Sequence, residues 1–180
     1  TRCGISVLDA FTDVKKGSYC YEAVKWAVAK GITKGTDATH FSPNATCTRG
    51  QVVTFMYRAE GEPAVGGSNG FVDVAAGSYC SDAVQWAVAN GITKGTDATH
   101  FSPNATCTRG QVVTFMYRAE GEPAVGGNVG FVDVAAGSYC YNAVQWAVAN
   151  GITKGTDATH FSPNATCTRG QVVTFLYRAQ

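Results

Sequence analysis

Every sixty residues this chain repeats itself. The motif Phe-x-Asp-Val occurs at Phe11, Phe71 and Phe131 of 180 residues. Residues 31–67 and 91–127 are identical, and residues 71–120 differ from 131–180 only at Ser81/Tyr141, Asp82/Asn142, Met116/Leu176 and Glu120/Gln180. A fixed period of this size marks a repeat architecture, in which a unit cannot bury its apolar face alone and borrows its neighbours'. The reading is an N-terminal extension at 1–10 and three units at 11–60, 71–120 and 131–180. Two links, Gly61–Gly70 and Gly121–Gly130, join them, each rich in Gly with one Pro. These links are irregular connectors too short for the units to drift apart, so one compact helical assembly with pseudo-threefold symmetry is expected.

Charge and hydropathy exclude several classes. The 14 Lys and Arg nearly balance 13 Asp and Glu, which argues against a nucleic-acid binder, since that needs a basic field. A hydrophobic content of 45% can form a core. No apolar run is long enough to span a membrane. The start, Thr-Arg-Cys-Gly, has neither an initiator Met nor a signal-peptide pattern, and reads as a processed or trimmed end.

Each unit holds two predicted helices. The first runs over about residues 19–30, with Ser18 as cap and Gly31 as terminator. Its stripe is Cys20, Ala23, Val24, Ala27 and Val28. The second starts at Thr48 and runs to about Ala59. Thr48-Arg-Gly-Gln51 fits a capping box, and Val52, Phe55, Met56 and Ala59 form the apolar stripe. Between them Gly31, Gly35 and Pro43 mark turns, with a short extended piece at His40-Phe41.

Six of the seven cysteines follow the period: Cys20 and Cys47, Cys80 and Cys107, Cys140 and Cys167, each pair 27 residues apart. One bridge per unit would contribute roughly 3–4 kcal/mol and imply an oxidising, extracellular setting. Buried free thiols are the alternative. Cys3 is left over: it pairs with another chain, is a reactive thiol, or is a processing remnant.

The ordered motifs point to a family. Phe11-Thr-Asp13-Val14, Ala23-Val24, Gly31-Ile32-Thr-Lys-Gly35, Phe41-Ser-Pro43, Thr48-Arg49-Gly50-Gln51 and Tyr57-Arg58-Ala59, three times over, resemble the S-layer homology (SLH) repeat. The resemblance implies a mainly α fold, a three-pronged spindle around a central three-helix bundle. It also implies binding of secondary cell-wall polysaccharide, often pyruvylated, between the prongs, on the outside of a bacterial cell. The family's Thr-Arg-Ala-Glu is Thr-Arg-Gly-Gln here, its first-helix Trp is Tyr19, Tyr79 and Tyr139, and the following small residue is Cys.

Candidate ligand-binding residues follow. Arg49, Arg109 and Arg169 open the second helices, where a guanidinium beside free N–H groups suits an anion. Pairing with a neighbouring unit's acid or carbonyl is the alternative. Trp26, Trp86 and Trp146 lie about 100–120° off the apolar stripe, as sugar platforms or as packing against the next unit. Tyr19, Tyr79 and Tyr139 take the family's aromatic role by resemblance. His40, His100 and His160 could meet on an axis around a metal, but one loop ligand per unit speaks against it, and no metal or cofactor is expected. Asp37 reads as a turn residue, and Asp13, Asp73 and Asp133 as closing local turns. Asn44-Ala-Thr46 and its copies match a glycosylation sequon, with no modification expected in a bacterial surface protein.

No catalytic constellation is visible, so the protein is read as non-enzymatic. The favoured function is anchoring to an anionic cell-wall glycan, with threefold avidity. On that reading a combined Arg49→Ala, Arg109→Ala and Arg169→Ala change would abolish wall binding and leave the fold intact. The alternative is a self-assembling surface subunit, a homo-oligomer linked through residues 1–10 and Cys3.

Overall fold

A computed structural model describes residues 11–180. Cys3 and the N-terminal extension lie outside the described residues, as does the assembly contact assigned to them. The described chain folds into six helices, two per unit: α1 Tyr21–Ala29, α2 Arg49–Ala59, α3 Ser81–Ala89, α4 Arg109–Ala119, α5 Tyr141–Ala149 and α6 Arg169–Arg178. Among the described residues there is no strand, only three isolated β-bridges.

The second helices form where expected. Thr48 is extended (φ −81°, ψ 162°) and its hydroxyl accepts from Gln51 N at 3.2 Å. Gln51 Oε1 accepts from Thr48 N at 3.0 Å, closing the capping box. The first helices start later than expected, at Tyr21, and Ser18 does not cap them. Gly17 turns left-handed (φ 87°), so the chain arrives with Cys20 at φ −104°, ψ 2°, where no side-chain cap forms. Instead the Ser18 carbonyl accepts from Tyr21 N at 3.2 Å. At the other end Gly31 (φ 72°) closes a Schellman motif: Gly31 N donates to Val28 O and Ile32 N to Ala27 O. Ile32 is thereby delivered into the core, fully buried.

At His40-Phe41, where an extended piece was expected, the chain is neither a paired strand nor a turn; the bend lies just before it, over residues 36–39, and is closed by Thr36 N donating to the His40 carbonyl at 2.8 Å. Asp37 does act in a turn, accepting from Thr39 N at 2.8 Å. Asp13 does more than close a local turn. Its carboxylate accepts from Phe41 N at 3.0 Å and Ser42 N at 2.8 Å, clamping the start of the unit to a loop 28 residues on.

The units interlock. The main helix contacts all run between units: α2 packs on α3, α4 on α5, and α6 returns to α1. The second helices also meet one another, α2 touching α4 and α6. That position explains why α2 is buried almost all round, from Arg49 to Tyr57, whereas α1 buries one face, Ala23, Val24 and Ala27. At the amino ends of the central helices the backbones close a ring. Cys47 N donates to Cys167 O, Cys107 N to Cys47 O and Cys167 N to Cys107 O, at 2.9–3.0 Å.

The expected bridge within each unit is not formed: all six recurring thiols are free and buried. The interlocking supplies the reason. Cys47 belongs to the central ring, while Cys20 opens a helix that packs against the preceding unit in the cycle, α6, rather than its own α2. Burial, opposed by the nearby arginine, pushes the Cys47, Cys107 and Cys167 thiols up to about 12. They are protonated at neutral pH.

Candidate functional site

Three pseudo-symmetric grooves of unequal size run between the prongs, and each is built by all three units. In the first, α2 supplies one wall with Gln51, Thr54, Phe55 and Arg58. The Gly31–Gly35 loop adds Thr33 and Lys34, the third unit adds Arg169 and the second adds Tyr79. The second groove has Arg118 with Arg49 and Tyr139, and the third has Lys154 and Arg178 with Arg109 and Tyr19. The first and third are open cavities of about 550 and 560 Å³, and the second is about 250 Å³. The first carries three cations, Lys34, Arg58 and Arg169, against one carboxylate, Glu62. A chain of net charge +1 thus concentrates positive charge where its surface is concave.

These features carry the signature of one family. The sequence matches the S-layer homology domain over residues 10–53, 70–113 and 130–173. The chain belongs to the S-layer homology family. It is 35% identical to a surface-layer 125 kDa protein of Lysinibacillus sphaericus, over 86% of this chain and 13% of that protein. It is 26% identical to a cell surface protein of Thermoanaerobacter kivui, over 98% of this chain and 22% of the other. An endoglucanase of Bacillus sp. (strain KSM-635) is 29% identical over 89% of this chain and 18% of the enzyme. The chain spans between 9% and 22% of the length of the curated relatives it matches, so the likeness to the enzyme is confined to its SLH region.

Within the SLH frame the candidate residues divide. Arg49, Arg109 and Arg169 reach the grooves but are 5% exposed. Arg49 Nε donates to the Phe101 carbonyl of the next unit at 2.9 Å, and its guanidinium lies 4.8 Å from the Phe101 ring and 5.3 Å from that of Phe115. Burial lowers its pKa, opposed by Cys107 and Asp73. The expected free N–H groups beside it are taken: Arg49 N donates to Ala105 O and Gly50 N to Pro103 O, both at 2.9 Å. The arginine is first a tie between units, and its triple removal would disturb the fold rather than leave it intact.

Trp86 and Trp146 are packing between units, and Trp26 is partly buried. Trp86 and Trp146 are 7% exposed and pack on Tyr57 and Tyr117 of the preceding unit at 5.8 Å, and Trp26 pairs the same way with Tyr177. The off-stripe face that looked exposed on a lone helix is the face the neighbouring helix covers. The histidines stay in their own loops, with His40 Nδ1 3.0 Å from Asp37 Oδ1. In the second loop the Thr99 N–H, then the His100 ring, hold the Asp97 carboxyl down to about 2.

Tyr19, Tyr79 and Tyr139 do line the grooves, at 57–59% exposure. Burial of the ring's inner part raises the Tyr79 pKa, against a contact with the Thr48 side chain. Lys34, Arg58, Gln51 and Thr54 escaped the sequence reading. Arg58 Nη1 donates to the Ile32 carbonyl at 3.0 Å and its Nε lies 3.7 Å from Glu62, holding the guanidinium at the groove wall. A signal was there: Gln51, Thr54 and Arg58 recur at i, i+3 and i+7, a polar stripe along the second helix.

Proposed function

We propose that this SLH unit holds its protein at the bacterial cell surface by binding an anionic cell-wall polysaccharide in the three grooves. The family and the surface proteins among its relatives support an extracellular, surface-anchoring role. No helix of the described residues is long and apolar enough to cross a membrane. The observation that carries the glycan is the pairing, in every groove, of clustered cations with an exposed tyrosine ring. Cations take a carboxylate such as a pyruvyl ketal, and the ring takes the apolar face of a pyranose. Three such sites on one polymer multiply a weak single-site affinity.

The lysines test this with least harm to the fold, because Lys34 and its copies are exposed. A combined Lys34→Ala, Lys94→Ala and Lys154→Ala variant should lose about tenfold or more in affinity for purified wall polysaccharide, with melting unchanged. Mild-acid removal of ketal-linked pyruvate from the polysaccharide should weaken the parent protein similarly. Undiminished binding by the lysine variant would overturn the proposal.

A further inference from the structure

A Cβ built on Gly50 would lie 2.5 Å from the Tyr79 hydroxyl of the next unit, and 3.1 Å from the Pro103 carbonyl. The same holds for Gly110 against Tyr139, at 2.6 Å, and for Gly170 against Tyr19, at 2.5 Å. The glycine is in the first turn of an ordinary right-handed helix, so the backbone does not demand it. What crowds it is the tyrosine hydroxyl, resting in the space a side chain would fill, with the Pro103 carbonyl oxygen and Cβ close by at 3.1 and 3.2 Å. Outside that hydroxyl the ring stands in solvent, and its exposure varies by only two percentage points, from 57% to 59%, among the three copies.

Tyr79 is also a shared wall. It borders the main groove of about 550 Å³ and a second cavity of about 290 Å³, which holds Gly77, Ser78 and Asp82 on the far side. The two cavities share Thr54, Arg58 and Glu62. The stance of this one ring therefore sets the width of both.

We infer that Gly50, Gly110 and Gly170 are specificity-determining positions: each receives the hydroxyl of the next unit's tyrosine and fixes its ring, which at Tyr79, with a second cavity behind it, stands as a partition. The ligand it selects is an oligosaccharide with one sugar residue on each side of the ring, rather than a single sugar. This rests on the wall-glycan reading above. The glycines are positioning residues, acting through Tyr79, Tyr139 and Tyr19.

A double-mutant cycle on the full chain tests it. The parent, a triple Gly→Ala variant, a triple Tyr→Phe variant and their combination are titrated with wall oligosaccharide and with its monosaccharide. Each alteration alone should weaken oligosaccharide binding by about tenfold and monosaccharide binding far less, and the combination should be no weaker than the worse single variant. Thermal melting controls for folding. If the Gly→Ala protein does not fold, the Tyr→Phe protein, which adds no atoms, still decides. Parent-like oligosaccharide binding by the Tyr→Phe variant, or strictly additive losses, overturns the inference alone. A parent protein that binds neither sugar overturns the wall-glycan reading with it.

Discussion

Cys47, Cys107 and Cys167 show what burial does to a reactive residue. Each is fully buried in the central ring, and the thiols sit up at about 12 against 9.0 for an open one. Trypsin would release one common peptide, Gly35–Arg49, from all three units. In the native protein at neutral pH that peptide should stay unlabelled by a thiol reagent, and label fully in denaturant. The pH dependence has a definite sign. The folded pKa is raised, so the unfolded chain ionises first, and stability is intact below about pH 9 and lost as pH rises toward 12. Urea midpoints should fall across that window. A Cys47→Ser, Cys107→Ser and Cys167→Ser protein, if it folds, should lack the part of the decline these thiols cause. Arg49→Ala should behave as a core change. It strips the Phe101 carbonyl of its donor and empties the space between two rings, costing about 2–4 kcal/mol in denaturant unfolding.

At the scale of the helix, the two starts in each unit are built differently. The second helices are fixed by their own four residues, because Thr48 and Gln51 satisfy each other's N–H groups. The first helices have no such cap and are held by the Gly17 turn and by packing on another unit. Thr48→Ala should therefore cost about 1 kcal/mol. Ser18→Ala, at an exposed residue, should fall within about 0.5 kcal/mol. Equal effects in urea titrations would mean that Ser18 caps after all. Capping was legible because it is local: the motif and its hydrogen bonds occupy the same four residues. The Tyr21 start was not, because it depends on the left-handed turn at Gly17 two residues upstream of the expected boundary.

Across the molecule, the units do not behave as beads. The contacts α2·α3, α4·α5 and α6·α1 close a cycle, and every groove takes an arginine from one neighbour and a tyrosine from the other. Linear repeat arrays lose stability one unit at a time. This chain should unfold in a single transition by every probe. Deleting residues 121–180 should abolish glycan binding altogether. The ring loses Cys167, the first groove loses Arg169 and the second loses Tyr139. Independent units would keep two of three sites, and measured binding at that level would refute the shared construction.

The linear chain already carries what is repeated and what is local: the period of sixty, the two helices per unit, the capping box, the Gly31 stop and the family. It also placed the groove arginines and tyrosines on its short roll of candidates. Which faces pair is settled only when the units pack together. Three nearly identical units offer three nearly identical apolar faces, so nothing along the chain distinguishes a helix's own partner from its neighbour's. The exchange between units then reassigned each ambiguous residue. Trp86 became packing for Tyr57, Arg49 became a tie to Phe101, and Cys47 was drawn to the axis, to a different neighbourhood from Cys20. A periodic pattern records which faces are apolar, whereas the energy of burial depends on which faces meet.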